Sequence, residues 1–342
     1  MHGDLASVLA AAACGAFVCA AEPVVIPLLR RVAVMDTPNS RSSHTVPTPR
    51  GGGAPIAAGL VLAALLIHSD RTLTFGAAVG CFAAIGFADD LAGLPAGRRL
   101  ALQGTVSLAA GGVLAALAGL PAAAAVVAAV VLAIWIAGFV NAFNFMDGVN
   151  GISAAHALLG GAAYACLGFW RPDAFLAAGG TAVAAGALAF LPWNVLRARV
   201  FLGDVGSYAL GAALALLAAG AVLRGIPPEA ALGPLALYLA DTAWTMQRRV
   251  RAGERLLQAH RTHAYQRLCD AGWSHQRVTL VTGATTAAVS LLGAVSLTPY
   301  LGLRAVADLA AIAMLAAYLR APVLIGPAAA SIGKHRVPSG AA

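Results

Sequence analysis

Apolar runs of about 20 residues recur along nearly the whole chain, separated by short connections. Such a run is the length an α-helix needs to cross the hydrocarbon core of a bilayer. Of the 342 residues, 60% are hydrophobic and only 11% are charged, and the mean hydropathy is +0.81. Because about 25% of a soluble domain is charged, a water-soluble globule is excluded. We predict an all-α, polytopic integral membrane protein with about 10–11 transmembrane helices.

The periodicity and the turn residues divide the chain into eleven predicted spans. They lie at 5–28, 54–68, 73–90, 99–119, 121–142, 151–169, 173–192, 206–223, 230–247, 277–296 and 299–319. We interpret 1–342 as a single transmembrane domain, in which 320–342 forms a short cytoplasmic tail. Residues 1–4 carry no Lys or Arg and many spans follow, so the first run is expected to be a retained helix and not a cleaved signal.

The basic residues are distributed unevenly over the connections. All but four of the 22 Lys and Arg residues fall in alternate loops on one side. Cytoplasmic loops of membrane proteins carry this excess of positive charge. The N-terminus should therefore lie outside, the C-terminus inside, and the odd-numbered loops in the cytoplasm. A bacterial cytoplasmic membrane is the expected location.

Polar motifs are concentrated in the loops of that same side. In chain order they are Asp36 to His44 with Pro47-x-Pro49-Arg50-Gly51-Gly52, Asp89-Asp90, Asn141-x-x-Asn144-x-x-Asp147-Gly148, Gly203-Asp204-x-Gly206-Ser207 and His260-Arg261-Thr262-His263. The outer connections are short turn sequences by comparison. This one-sidedness predicts a reaction site at the cytoplasmic surface of the membrane.

Asp89 and Asp90 end an apolar helix, and a charge at membrane depth costs at least about 2.5–3.5 kcal/mol. We therefore favour a functional role, although two acids at a helix end could simply face interfacial water. Adjacent helical residues point about 100° apart, so the two carboxylates should have different partners.

Two further loops combine polar side chains with glycine. Asn141 and Asn144 share one helix face at i, i+3, just before Asp147, and suit a polar ligand or a hydrated ion; an ordinary Asn/Asp/Gly turn is the alternative. Asp204 and Ser207 begin a helix whose free N–H groups would attract phosphate; a simple helix cap is the alternative.

Several acids without a Cys or His cluster indicate Mg²⁺, which binds one or two carboxylates together with waters and substrate phosphates. Arg41, His44, Arg261 and His263 would then face an anionic substrate, whereas most other inner cations need only fix the topology. The lone histidines of the apolar spans, His68 and His156, are interpreted as core residues.

The ordered motifs together resemble those of the polyprenyl-phosphate N-acetylhexosamine-1-phosphate transferases, glycosyltransferase family 4, which includes the phospho-MurNAc-pentapeptide translocases. The resemblance extends from about residue 30 to 270. It implies transfer of a sugar 1-phosphate from a UDP-activated N-acetylhexosamine to undecaprenyl phosphate or a similar polyprenyl phosphate, with release of UMP. It also implies Mg²⁺ as the cofactor, with Mn²⁺ as a substitute, and no nucleic-acid partner; a homodimer stays open.

By this resemblance, Asp204 is the expected Mg²⁺ ligand, with Asp147 as a second candidate. Asp89 is expected to engage or deprotonate the lipid phosphate, and Asp90 to assist it. The implied substrate-binding residues are Asn141, Asn144, Arg41, His44, His260, Arg261 and His263.

The late motif lacks two histidines that many bacterial members carry, and Ser42 follows Arg41 where others have Lys. Both variants resemble the branch that initiates O-antigen and other surface polysaccharides, often from deoxy sugars. A translocase remains the alternative within the family. An ion-coupled transporter is the alternative outside it, although the halves show no convincing repeat. A CDP-alcohol phosphotransferase is disfavoured, since no acid follows Asp147-Gly148 before Asp173.

Overall fold

The computed structural model describes residues 2–32, 34–37, 46–255 and 260–326. Within them the chain is almost entirely helical. The helices are α1 (His2–Arg31), α2 (Ala54–Ile67), α3 (Asp70–Ala92), α4 (Ala96–Leu117), α5 (Ala122–Phe145), α6 (Ile152–Trp170), α7 (Ala174–Asn194), α8 (Gly203–Leu223), α9 (Pro228–Leu232), α10 (Ala236–Arg251), α11 (Ala264–Asp270), α12 (His275–Ala294) and α13 (Leu301–Leu324). Two short strands, β1 (Met35–Asp36) and β2 (Thr48–Pro49), pair antiparallel.

The predicted polytopic, all-α class is confirmed. In the described ranges, nine helices are long and apolar enough to cross a membrane. The other two predicted spans are not long continuous helices: one is short and the other is interrupted. The span at 54–68 is the 14-residue α2, and the span at 230–247 is broken into α9, the 3₁₀ turn Gly233–Leu235 and α10. Pro234 lies in that turn, and it cannot donate an N–H to the helix ladder. The expected tail from residue 320 begins inside α13, which continues to Leu324.

Helix α8 forms the centre of the bundle. In its most apolar window 94% of the residues are buried, and α3, α5, α7, α2 and α6 all pack around it. Small residues make this packing close: a Cβ on Gly211 would lie 3.0 Å from the Cα of Val140, and one on Gly220 would lie 2.5 Å from the Phe175 ring. Close approach through small residues is a common basis of helix association in membranes. The residues at the two ends of α8 are thereby held rigidly.

Asp173 connects the C-terminal end of α8 to the neighbouring helices. This buried carboxylate accepts a hydrogen bond from Leu176 N at the start of α7 and forms ion pairs with Arg224 at 3.1 Å and Arg71 at 3.5 Å. Three helices are joined there, so these residues have a structural role at the end opposite the polar motifs.

The two lone histidines of the apolar spans have different environments. His156 is buried, stacks on Tyr238 with a centroid separation of 3.6 Å, and lies 3.3 Å from the Thr286 hydroxyl. The expectation of a core residue is confirmed for His156. It is wrong for His68, which is exposed and follows the last residue of α2 as its C-cap with a φ of 53°, because the helix ends at Ile67 and the chain turns there.

Candidate active site

The N-terminal end of α8 lies on the predicted cytoplasmic side and is called its inner end below. Hydrogen bonds between backbones fix its position. Gly51 N and Gly52 N both donate to the carbonyl of Phe201, and Gly53 N donates to that of Leu202. The segment before α2 is thus joined to the segment before α8. A Cβ on Gly53 would lie 2.1 Å from the Cα of Gly206, so glycine is required at this crossing. A Cβ on Gly86 in α3 would lie 2.2 Å from the carbonyl oxygen of Asp204. The first turn of α8 is therefore in contact with both α2 and α3.

Asp90 is the residue that connects α3 to this turn. Its side chain is only 1% exposed. Its two oxygens accept hydrogen bonds from Asp204 N and Val205 N, each at 3.0 Å, and the same carboxylate pairs with Arg50. Those two N–H groups are committed to Asp90, so phosphate attraction by the remaining N–H groups of this helix end stays a prediction. The alternative of a simple cap is wrong, since the N-cap position is Leu202 and Asp204 lies inside the first turn.

Arg50 bridges the two carboxylates. Its Nε donates to Asp90 Oδ1 at 2.7 Å, and its Nη2 contacts both Asp90 and Asp204 Oδ2, the latter at 3.2 Å. Arg50 belongs to the first polar motif, but no role was predicted for it from the sequence. The available signal was its position immediately before three glycines in the first inner loop. The planar guanidinium suits this bridge because it donates from several nitrogens at once.

Asp89 has a separate set of partners, as expected from its direction on the helix. The buried carboxylate accepts hydrogen bonds from Tyr208 Oη at 2.7 Å, Leu94 N at 2.8 Å and Arg99 Nη1 at 3.2 Å. Arg99 and Tyr208 were not anticipated. All of these donors come from the protein, so the geometry favours a positioning role for Asp89, and contact with the lipid phosphate stays a prediction.

Of the two asparagines, the structure brings only Asn144 to the carboxylates. Its Nδ2 donates to Asp204 Oδ1 at 2.8 Å and to Ser207 Oγ at 2.9 Å. Asn141 lies one helical turn further from the loop, and its Nδ2 donates to Gln103 Oε1 in α4 at 2.6 Å. Substrate binding by Asn141 stays a prediction, while Asn144 fixes the Asp204 side chain, which is 23% exposed.

Asp147 lies in the loop between α5 and α6 and is half-buried. Burial raises the pKa of its carboxyl to about 7, and the neighbouring Asp204 and Asp90 carboxylates add to this shift. Two like charges within range of each other disfavour ionisation of both. Asp147 and Asp204 therefore interact electrostatically although they are 57 positions apart in the sequence, and metal binding by Asp147 stays a prediction.

The late motif packs against the same inner end of α5. The rings of His260 and His263 both lie 6.2 Å from that of Phe145, the last residue of α5. The Tyr265 hydroxyl donates to the Phe145 carbonyl at 2.9 Å. Arg261 pairs with Asp270 at 3.1 Å and is partly exposed.

The two histidines of this motif differ in environment. Burial, followed by the nearby charges of His263 and Arg249, lowers the pKa of His260 to about 4. His263 is buried, and its Nδ1 lies 3.1 Å from Oδ1 of Asp241, a buried residue of α10 that the sequence analysis missed. A single acid in a helix gives no local signal of such a contact. Two other predicted substrate contacts, Arg41 and His44, lie outside the described residues.

The carboxylate oxygens of this cluster suit a hard divalent cation that completes its coordination shell with water and substrate phosphates. Among the described residues around Asp204, acidic side chains outnumber basic ones. The acids are Asp89, Asp90, Asp147 and Asp204, and the basic residues are Arg50 and Arg99. Within the described part of the chain, no three His, Cys, Asp or Glu residues form a ready metal cage. Mg²⁺ typically binds through one or two carboxylates and completes its shell with water and phosphate, so these residues fit Mg²⁺ better than a transition metal.

An apolar groove lies beside the first turn of α8. It has a volume of about 530 Å³, lies between α2 and α3, and includes Phe87 and Val205. Val205 directly follows Asp204. The groove continues along the same two helices into a second cavity of about 560 Å³, with Val61 and Gly80 common to both. Together the two cavities form an apolar surface along α2 and α3 that ends next to the start of α8.

Comparison with known proteins gives consistent matches. The model of the glycosyl transferase family 4 matches residues 72–221. The decaprenyl-phosphate N-acetylglucosaminephosphotransferase of Mycobacterium tuberculosis is 30% identical over 303 residues, which cover 74% of this chain and 73% of that protein. The probable undecaprenyl-phosphate N-acetylglucosaminyl 1-phosphate transferase of Bacillus subtilis is 26% identical over 276 residues, 75% of this chain and 77% of that protein.

A second type of relative is also similar. The phospho-N-acetylmuramoyl-pentapeptide-transferase of Moorella thermoacetica is 30% identical over 306 residues, which cover 81% of this chain and 94% of that protein. The range that the family model matches, residues 72–221, includes Asp90, Asn144 and Asp204.

Proposed function

The chain belongs to the glycosyl transferase family 4, and from this membership we propose that it transfers an N-acetylhexosamine 1-phosphate from a UDP-sugar to a polyprenyl phosphate such as undecaprenyl phosphate. An oxygen of the lipid phosphate attacks the β-phosphorus of the UDP-sugar, the bond to the bridging oxygen breaks, and UMP leaves. The product is a lipid diphosphate sugar that starts a lipid-linked glycan. The observation that carries the proposal is the convergence of Arg50, Asp90, Asn144 and Asp204 at the inner end of α8.

The chain's own residues have distinct tasks in this proposal. Asp204 is the metal ligand, because its carboxylate is partly exposed and is held in place by Arg50 and Asn144, and Asp147 is the second candidate. Asn144 and Arg50 fix the Asp204 oxygens, while Asp90 holds Arg50 and the first turn of α8. Mg²⁺, or Mn²⁺ in its place, would supply charge neutralisation between two phosphorylated reactants. The attacking phosphate is already anionic near neutral pH, so positioning and charge balance are the main requirements.

The groove between α2 and α3 supports a membrane-resident acceptor. Its apolar lining suits an isoprenoid chain, and its end at Val205 would bring the phosphate beside Asp204. His260, Arg261 and His263, together with Arg41 and His44, are proposed to contact the donor. The excess of basic residues in the loops of this end supports a cytoplasmic site in the inner membrane. Initiation of O-antigen or another surface polysaccharide is the proposed pathway class; the late-motif variants support it.

The direct test measures UMP release by the purified full-length protein in nanodiscs supplied with UDP-N-acetylglucosamine and undecaprenyl phosphate. We expect release with Mg²⁺, none after chelation with EDTA, and recovery on adding Mg²⁺ or Mn²⁺. Asp204→Asn should abolish turnover while the protein still inserts and folds. A panel of UDP-N-acetylhexosamines, including deoxy sugars and UDP-MurNAc-pentapeptide, identifies the donor. Ion-driven uptake without UMP release would overturn the proposal in favour of a transporter.

A further inference from the structure

A second buried carboxylate, Asp241, connects α10 to the late motif. It is fully buried. Its Oδ1 lies 3.1 Å from His263 Nδ1 and accepts hydrogen bonds from Ala264 N at 3.0 Å and Thr245 Oγ1 at 3.2 Å. Its Oδ2 accepts one from Tyr265 N at 3.4 Å. The carboxylate thus faces the N-terminal end of α11, whose dipole favours negative charge.

The contact with Asp241 determines which nitrogen of the His263 ring carries the proton. A carboxylate only accepts hydrogen bonds, so the Nδ1 that faces Asp241 carries the proton. The other ring nitrogen, Nε2, is buried and has no hydrogen-bond partner among the described residues. An unpaired buried polar atom costs about 1–3 kcal/mol. Native structures rarely keep such an atom without a reason.

The ring is also fixed in position by its neighbours. It lies 4.9 Å from His260, 5.9 Å from Tyr265 and 6.2 Å from Phe145, measured between centroids. Phe145 follows Asn144, which binds Asp204. The Tyr265 hydroxyl donates a hydrogen bond to the Phe145 carbonyl and so connects the late motif to the end of α5. The unpartnered Nε2 is therefore held next to the segment that supports the candidate metal ligand.

We propose that Asp241 is a positioning residue of the transfer reaction, which holds His263 so that Nε2 meets a phosphate oxygen of the bound reactants. With Nδ1 bonded to Asp241, the only remaining polar atom of the ring is Nε2. When the ring is protonated, Nε2–H donates to the phosphate, and Asp241 balances the charge of the imidazolium. This inference rests on the proposed function. It adds a residue that acts through His263 and does not touch substrate itself.

The experiment is a double-mutant cycle on the full-length protein in nanodiscs, with Asp241→Asn, His263→Gln and the double variant. Steady-state rates of UMP release are measured with UDP-N-acetylglucosamine and undecaprenyl phosphate. We expect each single variant to lower kcat about 10- to 100-fold, with a smaller change in KM. The double variant should be no slower than His263→Gln alone, since Asp241 acts through that ring.

Controls separate positioning from folding. Glu254→Gln removes a nearby carboxylate whose ion-pair partner is Arg249 and which does not contact Asp241 or His263 in the described hydrogen bonds, and it should keep wild-type kcat. If Asp241→Asn does not fold, Asp241→Glu, which keeps the charge, should retain partial activity that is lost when His263→Gln is added. Multiplicative losses in the double variant, or a wild-type kcat in folded Asp241→Asn, would overturn the inference. A wild-type protein that releases no UMP from any donor would overturn the proposed function instead.

Discussion

Arg50 is the residue on which the charge balance at the inner end of α8 depends. It contacts both Asp90 and Asp204, and its removal would leave two carboxylates close together without a counter-charge. Removing one partner of a largely buried pair is costly because the other charge stays desolvated. Arg50 therefore stabilises the fold and sets the position of the candidate metal ligand at the same time.

We predict that Arg50→Lys lowers kcat/KM for UMP release at least about tenfold and destabilises the protein by about 1–3 kcal/mol. A single ammonium group cannot reproduce the several directed contacts of the guanidinium. The matched control is Arg98→Lys, an exposed inner arginine, which should behave as wild type in both rate and melting temperature. If Arg50→Lys and Arg98→Lys have the same rate and melting temperature, the bridging role of Arg50 is wrong.

His260 gives a pH-dependent prediction. Burial and nearby positive charge lower its pKa to about 4, whereas an unfolded histidine titrates near 6.5. Between these values the unfolded chain binds a proton that the folded chain does not, so acid favours unfolding. From pH 6.5 down to pH 4 the melting temperature should fall more for wild type than for His260→Gln. Parallel curves for the two proteins would show that this histidine does not contribute.

At the scale of elements, the glycine contacts at the start of α8 decide where Asp204 lies. A Cβ on Gly86 would lie 2.2 Å from the Asp204 carbonyl oxygen, so α8 would have to move away from α3. We predict that Gly86→Ala reduces UMP release at least about tenfold, with a loss of stability of about 1–3 kcal/mol from overpacking.

The control for this prediction is Gly112→Ala in α4, where the added Cβ would meet only the Ala129 Cβ at 3.9 Å. Alanine favours a helix over glycine by about 1 kcal/mol, so this variant should be at least as stable as wild type and fully active. An active and stable Gly86→Ala protein would show that the close contact with α3 is not needed to position Asp204.

The elements also show what could be predicted from sequence. Long apolar runs predicted the spans because crossing lipid depends mainly on composition and length. The break at Gly233–Leu235 was missed, since the apolar pattern continues through it. The polar motifs predicted which loops meet, but not the partners of each side chain. Arg50, Arg99 and Asp241 acquire their roles from residues between 10 and 154 positions away, and no local pattern encodes such contacts.

At the scale of the whole molecule, the orientation in the membrane is a separate prediction. Arg171→Cys lies in the predicted outer loop between α6 and α7, and Ala252→Cys follows α10 on the predicted inner side; both positions are exposed. A membrane-impermeant maleimide should label Arg171→Cys in intact cells and Ala252→Cys only after permeabilisation. The native cysteines are replaced in both variants. The reverse pattern would put the carboxylate cluster on the outer face, away from any cytoplasmic donor.

Packing of the helices brings distant polar residues together at the place where, in the proposed function, a membrane-bound phosphate reacts with a soluble nucleotide sugar. The most direct measurement uses UDP-N-acetylglucosamine with radioactive phosphorus at the β-phosphate, together with undecaprenyl phosphate, Mg²⁺ and the purified full-length protein. We expect the label to enter the lipid product together with the sugar while unlabelled UMP is released. Label that leaves as UDP, with only the sugar on the lipid, would contradict the proposed function.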